Sequence, residues 1–542
     1  MEDKKILEFL ERGILLSPDV TDDLETNQFD TEKDILLVDR KTRDLVNENV
    51  DWKAVDEAKV RAEKHDDPGR YERIISLAKD CEFREKPGVK VLFNYVKRSH
   101  KYTYNDFVAH FNQRFRTLSG ILRQRSELHG TTAIARVSRR RNENVTLIGM
   151  VNNKSITKNG NVMFTIEDQS GELRALVTQK HQETFALAKD IVLDEVIGVT
   201  GMMGDGILFV NALFFPDVPV THELKKGPEE EYIAVIGDPQ IGGKEFLSKD
   251  FAKLIAWFNG RLGNEDQRAL AAKVKYVIVI GDLVEGVGVY PGQERDLIIK
   301  DIKEQYAEFT RLIKQLPKDL QIICIPGNHD AGRISEPQPP IYKDFAPELY
   351  GMENITMLSS PSVVNLGARP GFPGLDVLLY HGYSLIYYAD NVPSIRGRGG
   401  QKRAELIMKY LLQRRHLAPT HGSNLYIPDP ETDPLVISRV PDVFVTGHIH
   451  RVSSAVYRGV TLLNTSAWCD ITDNQEKRGL EPQPGRLVLM DFQTRDVKVI
   501  NFYSGKGLGF LEPKGSEKKT SKDGSEGRGA ETEMVAAEGG AA

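Results

Sequence analysis

Hydrophobic and polar residues repeat with different periods in different parts of the chain. Between residues 131 and 218 they alternate, which is typical of half-buried strands. From residue 229 to about residue 510, short runs of consecutive apolar residues alternate with stretches of helical period, which predicts a layered α/β domain. The runs 232–236, 274–280 and 320–325 are expected to be buried strands of that domain.

The alternating region contains five predicted strands and, between the third and the fourth, a predicted helix at about 180–189. This order of elements is that of an OB-fold β-barrel. OB barrels often bind single-stranded nucleic acid, but many bind only proteins. The pattern leaves both kinds of partner open.

The rest of the chain is predicted to be helical or highly charged. Apolar residues at helical spacing predict short helices before residue 45 and a longer helix at about 104–127. The fold class is therefore multidomain, with a small helical module, an OB-fold β-barrel and then an α/β domain. The predicted parts are a helical N-terminal module (1–45), a charged linker (46–88), a basic and aromatic helical extension (89–130), the OB-fold domain (131–225), the α/β domain (229–510) and a disordered tail (513–542).

Composition limits the class of protein further. The chain has 542 residues, of which 40% are hydrophobic, so it can form packed cores. No apolar run approaches 18 residues, and we therefore expect no transmembrane helix and no membrane partner. The three cysteines, Cys81, Cys324 and Cys469, lack the spacing of metal sites and disulfide frameworks, which favours a reducing compartment and predicts a cytoplasmic location.

Charge is distributed unevenly along the chain. The formal net charge is −6, which taken alone argues against a nucleic-acid-binding protein. Residues 97–141, however, contain 11 Lys and Arg residues but only two acidic ones, and aromatic residues are interleaved with them. We expect the apolar residues at 107, 111, 115, 118 and 122 to form an ordinary core-facing helix stripe. The cluster Arg139, Arg140 and Arg141 remains a candidate for nucleic-acid contact.

Five short polar segments each follow a predicted buried strand of the α/β domain. They are 237–240 (Gly-Asp-Pro-Gln), 281–282 (Gly-Asp), 327–330 (Gly-Asn-His-Asp), 381–382 (His-Gly) and 447–450 (Gly-His-Ile-His). Ligands bind beyond the carboxyl ends of strands in such sheets, so the segments are expected to converge. Asp, Asn and His together suit Mn²⁺, Fe²⁺ or Zn²⁺, and two such ions can clamp an in-line attack on phosphorus. Each segment alone is common, but their combination predicts a metallophosphoesterase-type site.

This order of motifs resembles the calcineurin-like metallophosphoesterase superfamily over about 229–510. With an OB domain directly upstream, and with the segment 106–128 before it, the chain is similar to the small subunit of archaeal family-D DNA polymerase. The resemblance implies two divalent metal ions, with Mn²⁺ expected and Mg²⁺, Fe²⁺ or Zn²⁺ as alternatives.

The resemblance also implies a role for each polar residue at the strand ends. Asp282 would bridge the two metals, and His329 would be the general acid or transition-state stabiliser, with Asp330 orienting it. The implied metal ligands are Asp238, Gln240 and His450 at the first metal, Asn328, His381 and His448 at the second, and Asp282 at both.

One position departs from the family pattern. The first motif of the family is Asp-x-His, whereas this chain has Asp238, Pro239 and Gln240. A glutamine amide oxygen can bind a metal, but it is neutral and a weaker donor than imidazole. The first metal site is therefore expected to be weaker, or shifted toward harder ions such as Mn²⁺ or Mg²⁺.

Three functions are compatible with these features. The leading hypothesis is the small subunit of a two-subunit replicative DNA polymerase that carries a 3′→5′ exonuclease for proofreading. It would act on single-stranded or mispaired 3′ ends and form a heterodimer with the large catalytic subunit. The alternatives are a scaffold subunit whose site is weakened at Gln240, and a free metallophosphatase or phosphodiesterase, although a small-molecule phosphatase needs neither an OB domain nor a basic segment.

Overall fold

The computed structural model describes residues 88–97, 100–137, 140–471 and 481–504, and the backbone of 531–534. The predicted helical module at 1–45 and almost all of the predicted linker at 46–88 lie outside the described residues. The strands are β1 Val89–Asn94, β2 Asn144–Ile156, β3 Val162–Asp168, β4 Gly171–Val177, β5 Val196–Met203, β6 Ile207–Phe214, β7 Tyr232–Ile236, β8 Val274–Ile280, β9 Gln321–Ile325, β10 Ile355–Met357, β11 Ser362–Leu366, β12 Leu375–Leu379, β13 Val443–Thr446, β14 Ser453–Tyr457, β15 Val460–Asn464, β16 Arg486–Asp491, β17 Val497–Asn501 and β18 Glu531–Met534. The helices are α1 Tyr104–Leu122, α2 Ile134–Val137, α3 Gln182–Asp190, α4 Ser248–Phe258, α5 Glu265–Ala272, α6 Ile302–Ile313, α7 Pro347–Tyr350, α8 Leu385–Asn391, α9 Pro393–Arg396 and α10 Ala404–Arg414.

The α/β region is a sandwich of two sheets. One has seven strands in the order β10-β9-β8-β7-β16-β17-β18, and the other has six in the order β1-β11-β12-β13-β15-β14. An apolar core lies between the sheets, and it includes Val235 and Ile278 from the first sheet and Val377 and Val445 from the second. Because both faces of each central strand are covered, these strands are runs of consecutive apolar residues, as the sequence predicted.

Helices cover the outer faces of the sandwich. Phe251 and Trp257 of α4 and Phe309 of α6 pack with the seven-stranded sheet. Met408 and Leu412 of α10 pack with the six-stranded sheet. The arrangement is a layered α/β domain, and it places the carboxyl ends of β7, β8, β9, β12 and β13 at one edge of the sandwich.

Upstream of the sandwich, five strands close into a barrel in the order β2-β3-β4-β6-β5. β5 also pairs with β2, and β4 and β6 run parallel, which completes the closure. Helix α3 lies between the third and the fourth strands of the barrel in chain order, where the sequence predicted a helix. The barrel has its own apolar core, to which Leu147, Phe164 and Val199 contribute.

The segment 89–130 differs from the predicted helical extension at its start. Residues Val89–Asn94 form strand β1, which pairs antiparallel with β11 and is therefore part of the six-stranded sheet. The long helix follows at α1, close to the predicted 104–127. The alternation of apolar and polar residues in β1 is too short to distinguish a strand from a charged linker. Its pairing partner, β11, also lies far along the chain.

The tail also contains an element that the sequence did not predict. Within the predicted disordered tail at 513–542, residues Glu531–Met534 form strand β18, which pairs antiparallel with β17 at the edge of the seven-stranded sheet. The other residues of the tail lie outside the described part of the chain.

Strand β1 allows a direct test of its place in the sandwich. Val89 is 5% exposed and packs in the core between the sheets. We expect Val89→Asp to lower the free energy of unfolding by about 3 kcal/mol, because it buries a carboxylate without a partner. Lys90→Gln, on the exposed side of the same strand, is the control and should change it by less than about 0.5 kcal/mol. Equal urea midpoints for the two variants would contradict the placement of β1.

Helix α1 contacts both the barrel and the sandwich. Its N-cap residue is Thr103, whose backbone N–H donates to the Asp106 carboxylate over 2.6 Å. Its apolar residues Phe115, Leu118 and Leu122 pack with barrel residues, which confirms the predicted core stripe at these three positions. Arg114 lies beside them on the same buried face, where it is completely buried and forms an ion pair with Asp433 at 2.6 Å. Part of the basic segment therefore serves internal packing and is not available to a ligand.

Candidate metal centre

The five polar segments predicted from the sequence converge at the edge of the sandwich. Those after β7, β8 and β9 come from the seven-stranded sheet, and those after β12 and β13 come from the six-stranded sheet. The ligand atoms of Asp282, His381 and His448 all lie within 4.8 Å of one another. The centre is thus built from both sheets, and neither sheet alone holds all of its residues.

Tight turns after the strands bring these side chains together. Five non-glycine residues of the centre have a left-handed backbone, with φ of 47° at Asp238, 48° at Gln240, 49° at Asp282, 66° at His448 and 57° at His450. Such values are uncommon outside glycine and cluster at functional sites.

The close approach of two of these loops also requires a glycine at position 327. A Cβ at this position would lie 2.2 Å from Asp282 Oδ1 and 2.5 Å from the Asp282 backbone nitrogen. The loops after β8 and β9 could not approach each other so closely with any larger residue, so Gly327 allows Asp282 and the neighbouring Asn328 to share one centre.

His381 lies at the middle of the cluster. Its Nε2 is 3.0 Å from Asn328 Oδ1, 3.5 Å from Asp282 Oδ2 and 4.0 Å from Asp238 Oδ1. Its Nδ1 donates to the carbonyl oxygen of Ile280 over 2.9 Å, which leaves Nε2 directed at the other ligands. The His448 ring packs edge-to-face against the His381 ring, with centroids 5.1 Å apart.

Asp238 and His450 form the other side of the centre. His450 Nε2 lies 3.5 Å from Asp238 Oδ1, and the His448 backbone N–H donates to Asp238 Oδ2 over 3.1 Å. Asp238 Oδ1 is fully buried but accepts no hydrogen bond from the described residues. A buried carboxylate oxygen without a donor, surrounded by imidazole and amide ligands, fits the residues of a cation site.

Gln240 lies in the same loop as Asp238. It is 6% exposed, and its backbone N–H donates to the Asp282 carbonyl oxygen over 2.9 Å. This backbone bond connects the loop after β7 with the loop after β8. Gln240 thus lies in a loop of the centre, and its role as a metal ligand stays a prediction.

Charges within the centre are strongly coupled. Burial opposes ionisation of Asp282, but His381 and His329 hold its pKa well below the usual range. Burial likewise acts against protonation of His381, but Asp282 and Asp238 raise its pKa to about 10. Burial and the charge of His381 together lower the pKa of His448. The carboxylates of Asp238 and Asp282 thus strongly favour positive charge next to His381.

His329 is held in one orientation by the loop after β8. Its backbone N–H donates to Asp282 Oδ1 over 2.8 Å, and its Nδ1 lies 2.8 Å from the Glu285 carbonyl oxygen. Because a carbonyl oxygen can only accept, Nδ1 carries a proton and Nε2 is left for a ligand. The side chain is 18% exposed and is the more accessible partner of its contact with Glu285.

Asp330 has a different set of contacts from the predicted one. Its Oδ2 accepts hydrogen bonds from the backbone N–H groups of Gly327, over 2.8 Å, and Leu283, over 3.1 Å. Its Oδ1 accepts from the Tyr306 hydroxyl over 2.9 Å. These bonds fix the two loops that carry Asp282 and Asn328, whereas the contacts that orient the His329 ring come from Glu285.

Glu285 is a site residue that the sequence analysis missed. Its side-chain Oε1 is 3.8 Å from His329 Nδ1. Burial raises the pKa of the Glu285 carboxyl, and the charge of His329 offsets only part of that rise. Its position three residues after Asp282, in the same polar loop, was the available signal. An isolated Glu in a loop is too common to be selected without the geometry.

The candidate nucleic-acid residues lie elsewhere. Arg140 and Arg141 are exposed beside the barrel, where Arg140 pairs with Glu143 at 3.3 Å and Arg141 with Asp205 at 2.7 Å. Arg139 lies outside the described residues. Among the described helices, none combines the length and apolarity needed to cross a bilayer.

Comparisons with known proteins agree with this geometry. Residues 232–452 match the family model for calcineurin-like phosphoesterases. A relative called DNA polymerase II small subunit, from Methanothermobacter thermautotrophicus, is 39% identical over 386 residues, which cover 71% of this chain and 77% of the relative. Proteins with the same name are 38% identical in Archaeoglobus fulgidus, over 71% of this chain and 74% of the relative, and 37% identical in Pyrococcus horikoshii, over 73% and 62%.

These matches extend well beyond the phosphoesterase region, since they cover about 70% of the chain, whereas the family model covers only residues 232–452. They confirm the resemblance to a polymerase small subunit. The predicted roles of the individual strand-end residues came from that resemblance. The chain belongs to the family of DNA polymerase II small subunits, and it contains a calcineurin-like phosphoesterase domain.

Proposed function

We propose that this subunit is a metal-dependent 3′→5′ exonuclease that removes nucleotides from single-stranded or mispaired 3′ ends for a replicative polymerase. The observation that carries the proposal is the convergence of Asp238, Asp282, Asn328, His381 and His448 around a buried carboxylate oxygen that has no hydrogen-bond donor among the described residues. A scaffold without chemistry has no need to bury charged and polar side chains at such cost.

The residues divide into two ligand sets that share Asp282. Asp238, Gln240 and His450 would hold one divalent ion, and Asn328, His381 and His448 would hold the other, with Mn²⁺ as the expected metal. Bound divalent ions supply Lewis-acid stabilisation of the phosphoryl oxygens and activation of water. The chain itself excludes bulk water, because all of these ligands except Asn328 and His448 are almost completely buried.

We assign proton transfer to His329. With its Nδ1 proton held by the Glu285 carbonyl oxygen, Nε2 can donate a proton to the departing 3′ oxygen when the ring is charged. Asp330 acts as a positioning residue, since it binds the backbone of the loops that carry Asp282 and Asn328. His329 and Asp330 are adjacent in sequence, but they have different roles because they make different contacts.

The rest of the chain suits a subunit of a larger assembly. We assign the closed barrel to the OB fold, supported by its strand order and by the position of α3. DNA synthesis would come from a large catalytic subunit in a cytoplasmic heterodimer. The relatives' shared name, DNA polymerase II small subunit, supports such a partner.

The Gln240→His variant separates this function from a weakened scaffold. We expect the wild type, with its large subunit, to release nucleoside monophosphates from a mispaired 3′ end in Mn²⁺. Gln240→His should change that rate by less than about threefold, because the amide oxygen already serves as a ligand. A gain of about 100-fold, the effect of a lost metal-site interaction, would favour the scaffold instead. Absence of any metal-dependent release by the wild type would contradict the proposal.

A further inference from the structure

We infer that the exposed basic segment 396–403, beside the metal centre, binds the phosphate backbone of single-stranded DNA and directs its 3′ end to the centre. This inference rests on the proposed nuclease function and adds the surface along which its substrate approaches. The segment is distinct from Arg139–Arg141, the candidate nucleic-acid residues predicted from the sequence.

The segment combines positive charge with exposure to solvent. Between Pro393 and Arg403 it contains four basic residues and no acidic residue. All four, Arg396, Arg398, Lys402 and Arg403, are exposed. Glycines at 397, 399 and 400 separate Arg396 and Arg398 from each other and from the adjacent Lys402 and Arg403. Lys402 pairs with Glu481 and Arg403 with Glu405, so Arg396 and Arg398 are the main candidates for phosphate contact.

The arginines at the start of the segment have no acidic partner among the described residues. Arg396 and Arg398 make only hydrogen bonds to the backbone oxygens of Asp390 and Ser394. By contrast, Arg140 and Arg141 each pair with a carboxylate. Guanidinium groups without a carboxylate partner retain their capacity to bind phosphate oxygens.

Packing and an ion pair connect the segment with the loop that carries His448 and His450. Ile395, which immediately precedes Arg396, belongs to the same apolar cluster as Ile449, which lies between the ligands His448 and His450. At the other end, Lys402 and Arg451 bind the same carboxylate of Glu481, at 2.5 Å and 3.6 Å. Arg451 directly follows His450, so the shared ion pair with Glu481 connects the end of the segment to the edge of the centre.

Aromatic side chains lie between the basic segment and the metal ligands. The Tyr383 ring packs edge-to-face against the His448 ring, with centroids 5.7 Å apart. Tyr383 and Tyr387 are both half-buried, and Tyr387 packs on the cluster that contains Ile395. Basic grooves with aromatic rings on which bases stack are typical of single-strand binding without sequence preference. A strand with its phosphates on the basic segment could place its last base on Tyr383.

The test measures binding without catalysis. Fluorescence anisotropy of a 5′-labelled dT20 oligonucleotide with the full-length chain is recorded in EDTA at several NaCl concentrations. We expect the double variant Arg396→Gln/Arg398→Gln to raise Kd about tenfold and to reduce the slope of log Kd against log salt by about 0.7 for each arginine. Tyr383→Ala should also raise Kd but leave the salt slope unchanged, because stacking involves no counterion release.

The double variant Arg261→Gln/Arg268→Gln is the matched control, since it removes the same charge from exposed arginines near α5. It should leave both Kd and the slope close to those of the wild type. Equal affinities for the two double variants would overturn the inference, whatever the nuclease activity. Loss of binding only in Arg396→Gln/Arg398→Gln would support it even if Mn²⁺ produced no cleavage, an outcome that would contradict the proposed function alone.

Discussion

Asp282→Asn is expected to abolish metal-dependent hydrolysis, with a fall in rate of at least about 1000-fold. The variant keeps the size of the side chain but removes the charge that lies 3.5 Å from His381 Nε2 and that the two proposed ligand sets would share. A loss of several kcal/mol of charge stabilisation in the transition state corresponds to such a factor. The rate of nucleotide release from a mispaired 3′ end in Mn²⁺ measures it.

Asp319→Asn is the control for this experiment, because Asp319 is exposed in the loop before β9. It should have the activity of the wild type. Binding of Mn²⁺, followed by the electron paramagnetic resonance of the free ion, should weaken in Asp282→Asn alone. If Asp282→Asn retained full activity, the proposed centre could not be the site of hydrolysis.

Arg114→Met should cause a large loss of stability. The Arg114 guanidinium is fully buried and binds Asp433, which also lies 2.9 Å from His416 Nε2 and 3.4 Å from His110 Nε2. Burial works against ionisation of Asp433, but Arg114 and then His416 hold its pKa well below the usual value. Removal of one partner from a buried ion pair costs about 3–5 kcal/mol.

Arg116→Met is the matched control, since Arg116 is exposed on the same helix. Urea denaturation followed by circular dichroism should show a lower midpoint for Arg114→Met and little change for Arg116→Met. A common midpoint for both variants would show that the buried ion pair does not hold α1 on the sandwich.

Much of the site could be predicted because its residues follow buried strands. The apolar runs before Asp238, Asp282, Asn328 and His448 identify strands, and parallel strands bring their carboxyl ends to one edge. The chemistry of the centre was therefore visible in the sequence, although the roles of Asp330 and Glu285 depend on which atoms face each other. No local pattern records that information.

Other features could not be predicted for physical reasons. Arg114 has the polarity of a surface residue, and only its pairing with Asp433, more than 300 residues later, allows it to be buried. Strand β1 is recognised only through its partner β11. The basic segment 396–403 is as charged as many solvated loops. What distinguishes it is the apolar cluster that Ile395 shares with Ile449.

Strand β1 pairs with β11, which is synthesised much later, and this delay has a consequence for folding during translation. β1 ends at Asn94 and β11 begins at Ser362, so a ribosome must add about 270 residues between them. At about 5–20 residues per second this takes roughly 15–55 s, during which β1 has no sheet to join. An unpaired strand of this kind can associate with other nascent chains. Slower translation would lengthen that interval, so the yield of native protein should depend on elongation rate even if the finished protein is stable.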